Sequence, residues 1–298
     1  MSKENLIYGP ASEIVTPFTE GGAVDFGMLE AEYEFLIANG ITGFFVNGLA
    51  SEVLMMSIDE QVEAVKRAVK VAGGRVPVFA NMVFNSVDHA VDCMRKHEAN
   101  GADGIFLAPP LVYKYTSEGL YSYLSGVARA TALPVYFYNA PETGNKVSPE
   151  VVAKVFHDNP NMRGYKDSTQ DIIHQQTLLS LIGKERHFEL LAGSDAQILS
   201  TSLLGGCGVI SLITCVFPKL IVEMCETVAS GDIAKAEALQ GKILRVRQAL
   251  KIGPFMSAYK YVSTLTGTPL GKVKSPLGEV SEAEKEKIKA LLVKEEML

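Results

Sequence analysis

Lys166 sits near the end of an apolar run at 162–168, MRGYKDS. A lysine ending a buried strand points its amine into an apolar cavity, where desolvation lowers its pKa to roughly 7–8 and makes the nitrogen nucleophilic. Such an amine can form a Schiff base with a ketone. The competing use is structural: an ion pair with Asp167, or a stem that carries the charge out to water. Tyr138 closes the preceding run at 133–141, LPVYFYNAP, and its phenol would face the same cavity. There it could shuttle protons during carbinolamine formation and carbon–carbon cleavage. The alternative is a core tyrosine whose hydroxyl meets the backbone, and Tyr136 and Phe137 read as plain core.

Gly48, Leu49, Ala50, Ser51 and Glu52 follow another strand-like run and precede a helix. Their backbone N–H groups could form a cradle for a carboxylate. Gly193, Ser194 and Asp195 close a further run, and specificity is expected from loop residues such as Glu142, Thr143, Ser168, Asp195 and Thr214. Gly205, Gly206 and Gly208 lack a phosphate-loop pattern and precede a strand, so close helix–strand packing explains them. The five histidines are scattered, with no HExxH and no paired spacing on one helix, so no metal is expected.

The elements that must position these groups read as strands at 12–18, 40–48, 76–83, 101–110, 133–141, 162–168, 188–195 and 208–213. Eight is the number that closes a barrel. The runs are rich in Val, Ile, Leu and Phe without polar alternation, which means burial on both faces, as a parallel sheet covered by helices requires. Between them lie amphipathic stretches such as 59–71, where Val62, Val65, Ala68 and Val69 recur behind Ser57, a plausible N-cap. The spacing predicts an α/β chain, a (β/α)8 TIM barrel over 1–225 followed by a helical extension over 226–298; a doubly wound open sheet is the alternative. Beyond Pro218, 219–252, 253–265 and 281–292 read as helices and 267–280 as an irregular link. In such a barrel the active site lies at the C-terminal ends of the strands, where Asn47, Tyr138, Lys166 and Asp195 fall.

With 28 basic and 34 acidic residues, a net charge of −6 and no basic stripe, the chain offers no footprint for nucleic acid or an anionic membrane surface. It shows neither a signal-like start nor an apolar stretch of bilayer length, and a cytoplasmic setting is expected. Cys93, Cys207, Cys215 and Cys225 lack paired spacing and read as reduced thiols.

In order along the chain stand TPF at 16–18, NG-xxx-E from Asn47 to Glu52, GADGIFLAPP, YFYNAP, GYKDS, AGSD and GCGVIS. Taken together, over nearly the full length, they resemble the pyruvate-dependent class I aldolases of the N-acetylneuraminate lyase and dihydrodipicolinate synthase family. The resemblance implies a homotetramer without cofactor, a Schiff base between Lys166 and pyruvate or another 2-oxo acid, and Tyr138 as the proton-shuttling phenol. It also implies that the main chain at Ile210 borders the substrate carboxylate and that Tyr113 reaches a neighbouring site.

Departures narrow the assignment. Leu49 and Ala50 stand where the family usually has two hydroxyl residues, so carboxylate binding would rest on backbone N–H groups and the hydroxyl of Ser51. Val112 replaces an interface tyrosine of the synthase branch, and the loop at Pro141-Glu142-Thr143-Gly144 lacks its arginine. Ala196 replaces a glutamate of the neuraminate-lyase branch. The phrases Lys166-Asp167-Ser168, Ile172-Ile173-His174 and Gly193-Ser194-Asp195 look more like the 2-keto-3-deoxy sugar-acid aldolases. The expected activity is a Schiff-base lyase that splits a 2-keto-3-deoxy sugar acid, or a related hydroxy-2-oxo acid, to pyruvate and an aldehyde. Synthase-like or neuraminate-lyase activity, a sugar-acid dehydratase and a non-catalytic 2-oxo-acid-binding homologue are the alternatives.

Overall fold

A computed structural model describes residues 5–184 and 186–298. Eight strands form a closed parallel barrel in sequence order: β1 (Gly9–Glu13), β2 (Phe44–Val46), β3 (Val78–Met82), β4 (Gly104–Leu107), β5 (Val135–Asn139), β6 (Met162–Asp167), β7 (Glu189–Ala192) and β8 (Gly208–Ser211). Closure runs through β1 and β8, where Gly9 to Ser12 pair in register with Gly208 to Ser211. All eight expected strands are present, each shorter than its apolar run. One is displaced. The first was expected at 12–18, but beyond Glu13 the chain leaves the ladder, because the Val15 N–H turns to the Glu32 carboxylate and Pro17 has no N–H to offer.

Seven helices alternate with the strands: α1 (Phe26–Ala38), α2 (Ile58–Ala72), α3 (Val87–Ala99), α4 (Ser117–Ala128), α5 (Pro149–Asp158), α6 (Ile172–Ile182) and α7 (Ile198–Leu203). Ser57 caps α2 as expected, in a reciprocal box in which Glu60 returns a bond to the Ser57 N–H. The helices bury Leu29, Tyr33, Val65, Met94, Leu124 and Phe156 against the outer face of the sheet. Inside the barrel a second cluster is aromatic: Phe45, Phe79, Phe106 and Tyr136 pack edge to face or stacked, with ring centroids 4.7 to 5.6 Å apart.

After β8 come α8 (Pro218–Ser230), α9 (Ile233–Leu250), α10 (Ser257–Thr266) and α11 (Glu282–Lys294). The stretch expected as helical over 219–252 is broken at Gly231, which takes a left-handed φ of 79°, and Asp232 caps the helix that follows. The extension is clipped to the barrel by Lys260 on α10. Its buried Nζ donates to the Thr16 carbonyl at 2.7 Å, the Lys272 carbonyl at 2.6 Å and Glu52 Oε1 at 2.7 Å. The other oxygen of Glu52 accepts from the Lys274 N–H at 2.8 Å. Among the described residues no helix is long and apolar enough to cross a membrane.

Candidate active site

Side chains alternate faces along a strand, so every second residue of each barrel strand points inward. In β5 Tyr136 is inward and so is Tyr138, one layer higher; in β6 the inward pair is Gly164 and Lys166, and in β1 it is Ala11 and Glu13. The register sets Tyr138 directly beside Lys166. These inward groups therefore meet at the C-terminal mouth of the barrel, above the aromatic plug.

Lys166 is fully buried and makes an ion pair with Glu13, Nζ to Oε2 at 2.9 Å. Its nitrogen lies 3.7 Å from the ring centroid of Phe45 and 4.0 Å from that of Tyr138. Desolvated cation–π contacts of this kind give about 2 kcal/mol or somewhat more, whereas removing an ammonium from water costs several. Desolvation therefore wins: burial holds the Lys166 amine below its ordinary value, although the Glu13 charge and hydrogen bond pull it upwards. Asp167 is not the partner. It points to the opposite face, where it accepts from the Thr169 N–H and from Gln175 Nε2.

Glu13 was not singled out in the sequence. Its second oxygen accepts from the Ala50 N–H at 3.1 Å, so one carboxylate bridges the Lys166 amine and the loop after β2. Gly48 makes room for it. A Cβ built there would fall 2.2 Å from Glu13 Oε1 and 2.6 Å from Phe45 Cε1, so any side chain would have to displace the carboxylate and the ring. The Tyr138 phenol is held well above its ordinary value by burial first, then by the charges of Glu13 and Glu142, with a Ser168 hydrogen bond opposing.

Glu13, Leu49, Ala50, Tyr138, Glu142, Ser168, Gly193 and Asp195 border one cavity of about 930 Å³ over this layer. Ser168 donates to the Gly193 carbonyl at 2.8 Å, and the Gly193 N–H donates to Asp167 O at 2.6 Å, so β6 and β7 are tied at their ends. Asp195 is buried; desolvation lifts its carboxyl above the usual range, opposed by hydrogen bonds from Ser211 and the Ile213 N–H.

Other residues singled out in the sequence lie off the cavity wall. The Ser51 hydroxyl is turned to the Gly48 carbonyl at 2.6 Å. Thr143 donates to the Ala140 carbonyl at 2.9 Å and shapes the turn after β5. Ile210 is packed inside the barrel with Tyr138 and Phe45, and Tyr113 is largely exposed on an outer loop. The far wall came from residues not foreseen as part of the site: Arg247 and Leu250 on α9, Lys251 after it, and Tyr259 on α10.

A parallel eightfold barrel with a desolvated lysine and a phenol at its C-terminal mouth defines a class of enzyme that works through a covalent imine. Comparison with known proteins narrows that class to one family. The Dihydrodipicolinate synthetase family pattern matches residues 7–295, and the chain belongs to that family. It is 34% identical over 288 residues to the 4-hydroxy-tetrahydrodipicolinate synthase of Mesorhizobium japonicum, covering 96% of this chain and 98% of that one. It is 32% identical to the Escherichia coli protein named "Probable 2-dehydro-3-deoxy-D-pentonate aldolase YjhH", covering 100% of this chain and 99% of the relative. Among solved structures, YagE of E. coli K12 in complex with pyruvate superposes with a TM-score of 0.93 at 28% identity, over 99% of this chain and all of that one. The chain is thus a class I, Schiff-base aldolase or lyase of this family.

Proposed function

We propose that this enzyme makes or breaks a carbon–carbon bond in a hydroxylated carbonyl compound, with Lys166 as the imine-forming nucleophile and Tyr138 as the proton-shuttling phenol. The observation that carries this reading is the fully buried Lys166 amine, held below its ordinary pKa and 4.0 Å from the Tyr138 ring. A neutral amine attacks the carbonyl, water leaves, and the resulting iminium accepts the electron pair of the adjacent breaking bond. The proton on the departing hydroxyl needs a nearby acceptor, and the high pKa of Tyr138 suits a group that relays a proton without holding a charge.

The motifs, together with the name of the YjhH relative, bring forward a 2-keto-3-deoxy sugar acid or related hydroxy-2-oxo acid, split to pyruvate and an aldehyde, as the first substrate class to assay. A synthase reaction, named for the Mesorhizobium relative, or a dehydration would use the same imine. The test is reductive trapping: a panel of small ketones and 2-oxo acids with borohydride, followed by peptide mapping. A stable adduct at Lys166 is expected with at least one of them. An unmodified protein across the panel would overturn the proposal. What the carbonyl compound may carry beside its carbonyl is limited by Glu13, which already stands next to the amine.

A further inference from the structure

The loop after β2 offers the site a backbone donor, the Ala50 N–H, placed to receive a carboxylate. That donor is already engaged. Glu13 Oε1 accepts from it at 3.1 Å while Oε2 accepts from Lys166 Nζ at 2.9 Å. The glutamate is not a surface group leaning in: it is 6% exposed, Lys166 is not exposed at all, and Gly48 is stripped of a Cβ where Oε1 would collide with one. Leu49 and Ala50 add no hydroxyl that could hold a second anion beside it.

We infer that Glu13 is a resident carboxylate occupying the seat next to the nucleophile, and that the carbonyl group this enzyme captures bears no carboxylate of its own. The inference rests on the imine chemistry of Lys166 and sets aside the 2-oxo acids that the motifs and the YjhH relative bring forward, in favour of simple or hydroxylated ketones and aldehydes with any anionic group placed further out.

Charge balance gives the reason. Within the pair, the ammonium passes one proton to Glu13, leaving a neutral amine and a carboxylic acid. The amine adds to the carbonyl carbon, forming the new C–N bond, and its excess proton returns to the carbonyl oxygen. Glu13 supplies the second proton to the departing hydroxyl, which leaves as water. The products are an iminium on Lys166, an ionised Glu13 beside it and one water, so a single positive charge again faces a single negative one. Had the captured carbon carried a carboxylate, two anions would share a buried space with one cation. Like charges at close range in a medium of intermediate dielectric repel strongly enough to change an equilibrium by orders of magnitude. The incoming carboxylate would also have to displace Glu13 from the Ala50 N–H, stranding a buried charge.

Hydroxyacetone and pyruvate test this directly, because they differ at one position, a hydroxymethyl group against a carboxylate. The rate of reductive trapping at Lys166 is followed by intact mass for each probe, normalised to trapping of Nα-acetyllysine by the same carbonyl. The wild-type enzyme is expected to take hydroxyacetone at least about tenfold faster than pyruvate. Glu13→Ala and the isosteric Glu13→Gln, checked for native circular dichroism, are expected to raise relative pyruvate trapping by about 10- to 100-fold. Wild-type trapping of pyruvate as fast as hydroxyacetone would overturn the inference and leave the imine reading intact. No adduct with either probe would remove both. The wild-type comparison stands even if neither variant folds.

Discussion

Tyr138 and Lys166 are register partners on neighbouring parallel strands, so the phenol ring and the amine share one inward layer, 4.0 Å apart. The ring contributes packing and a π face; proton transfer is the role proposed for the hydroxyl. These two roles come apart in Tyr138→Phe, which keeps the ring. Deuterium uptake at the carbon next to the carbonyl of a trapped ketone, followed by NMR, should fall roughly 10²- to 10⁴-fold. Borohydride trapping at Lys166 should fall far less. Equal losses in the two measurements would mean that the tyrosine serves only to pack the amine.

The pH response of the amine should follow its carboxylate partner. Burial lowers the Lys166 pKa, and Glu13 opposes burial by charge and hydrogen bond. Glu13→Gln removes the opposing influence, so the pKa falls further and the nucleophilic amine persists to lower pH. The midpoint of the pH profile for reductive modification of Lys166 should move towards acid. A midpoint that moved upwards would mean that another anion sets the amine's charge.

Gly193 is fixed by what surrounds it. A Cβ at this position would lie 2.4 Å from Ser168 Oγ and 2.7 Å from the Asp167 carbonyl oxygen, and the carbonyl belongs to a strand that cannot retreat. Gly193→Ala should cost about 1–3 kcal/mol in urea unfolding and lower the trapping rate by pushing the ends of β6 and β7 apart. A variant as stable as the parent would show that the strand ends yield more easily than these distances imply.

The Lys260–Glu52 pair clips the extension to the barrel at 2.7 Å, with both side chains buried. Lys260→Met leaves the buried Glu52 carboxylate without its partner, which should cost about 3–5 kcal/mol. Lys260→Met with Glu52→Gln should recover part of that loss, because no charge is then stranded. Chemical denaturation of the three proteins measures it, and a single variant that loses under about 1 kcal/mol would show that water reaches the site.

Much of this was legible in the sequence. The unbroken apolar runs required a sheet buried on both faces, and their number and spacing favoured closure. The strand-end rule then placed Lys166, Tyr138, Ser168, Gly193 and Asp195 at one rim. Glu13 escaped because the first run was read through Ile14, Val15 and Phe18, which put the glutamate near the strand's start, far from the rim. In the fold the strand ends at Glu13, and alternation from Ala11 aims it inward. Pro17 was the available signal, since it ends a ladder. Arg247, Lys251 and Tyr259 escaped for a different reason. Helical periodicity shows which face of a helix is buried, but not over which opening that helix will lie. The break at Gly231 was legible in principle, as a glycine followed by a capping aspartate.

One wall of the cavity is built by α9, α10 and the turn between them, outside the barrel. Part of the cavity wall is thereby carried by a stretch of polypeptide that holds neither Lys166 nor Glu13. Changes at 247–259 can reshape the reception of an incoming compound while the amine and its companions stay as they are. The tail of this protein is the place where lineages could diverge in diet without reinventing the reaction.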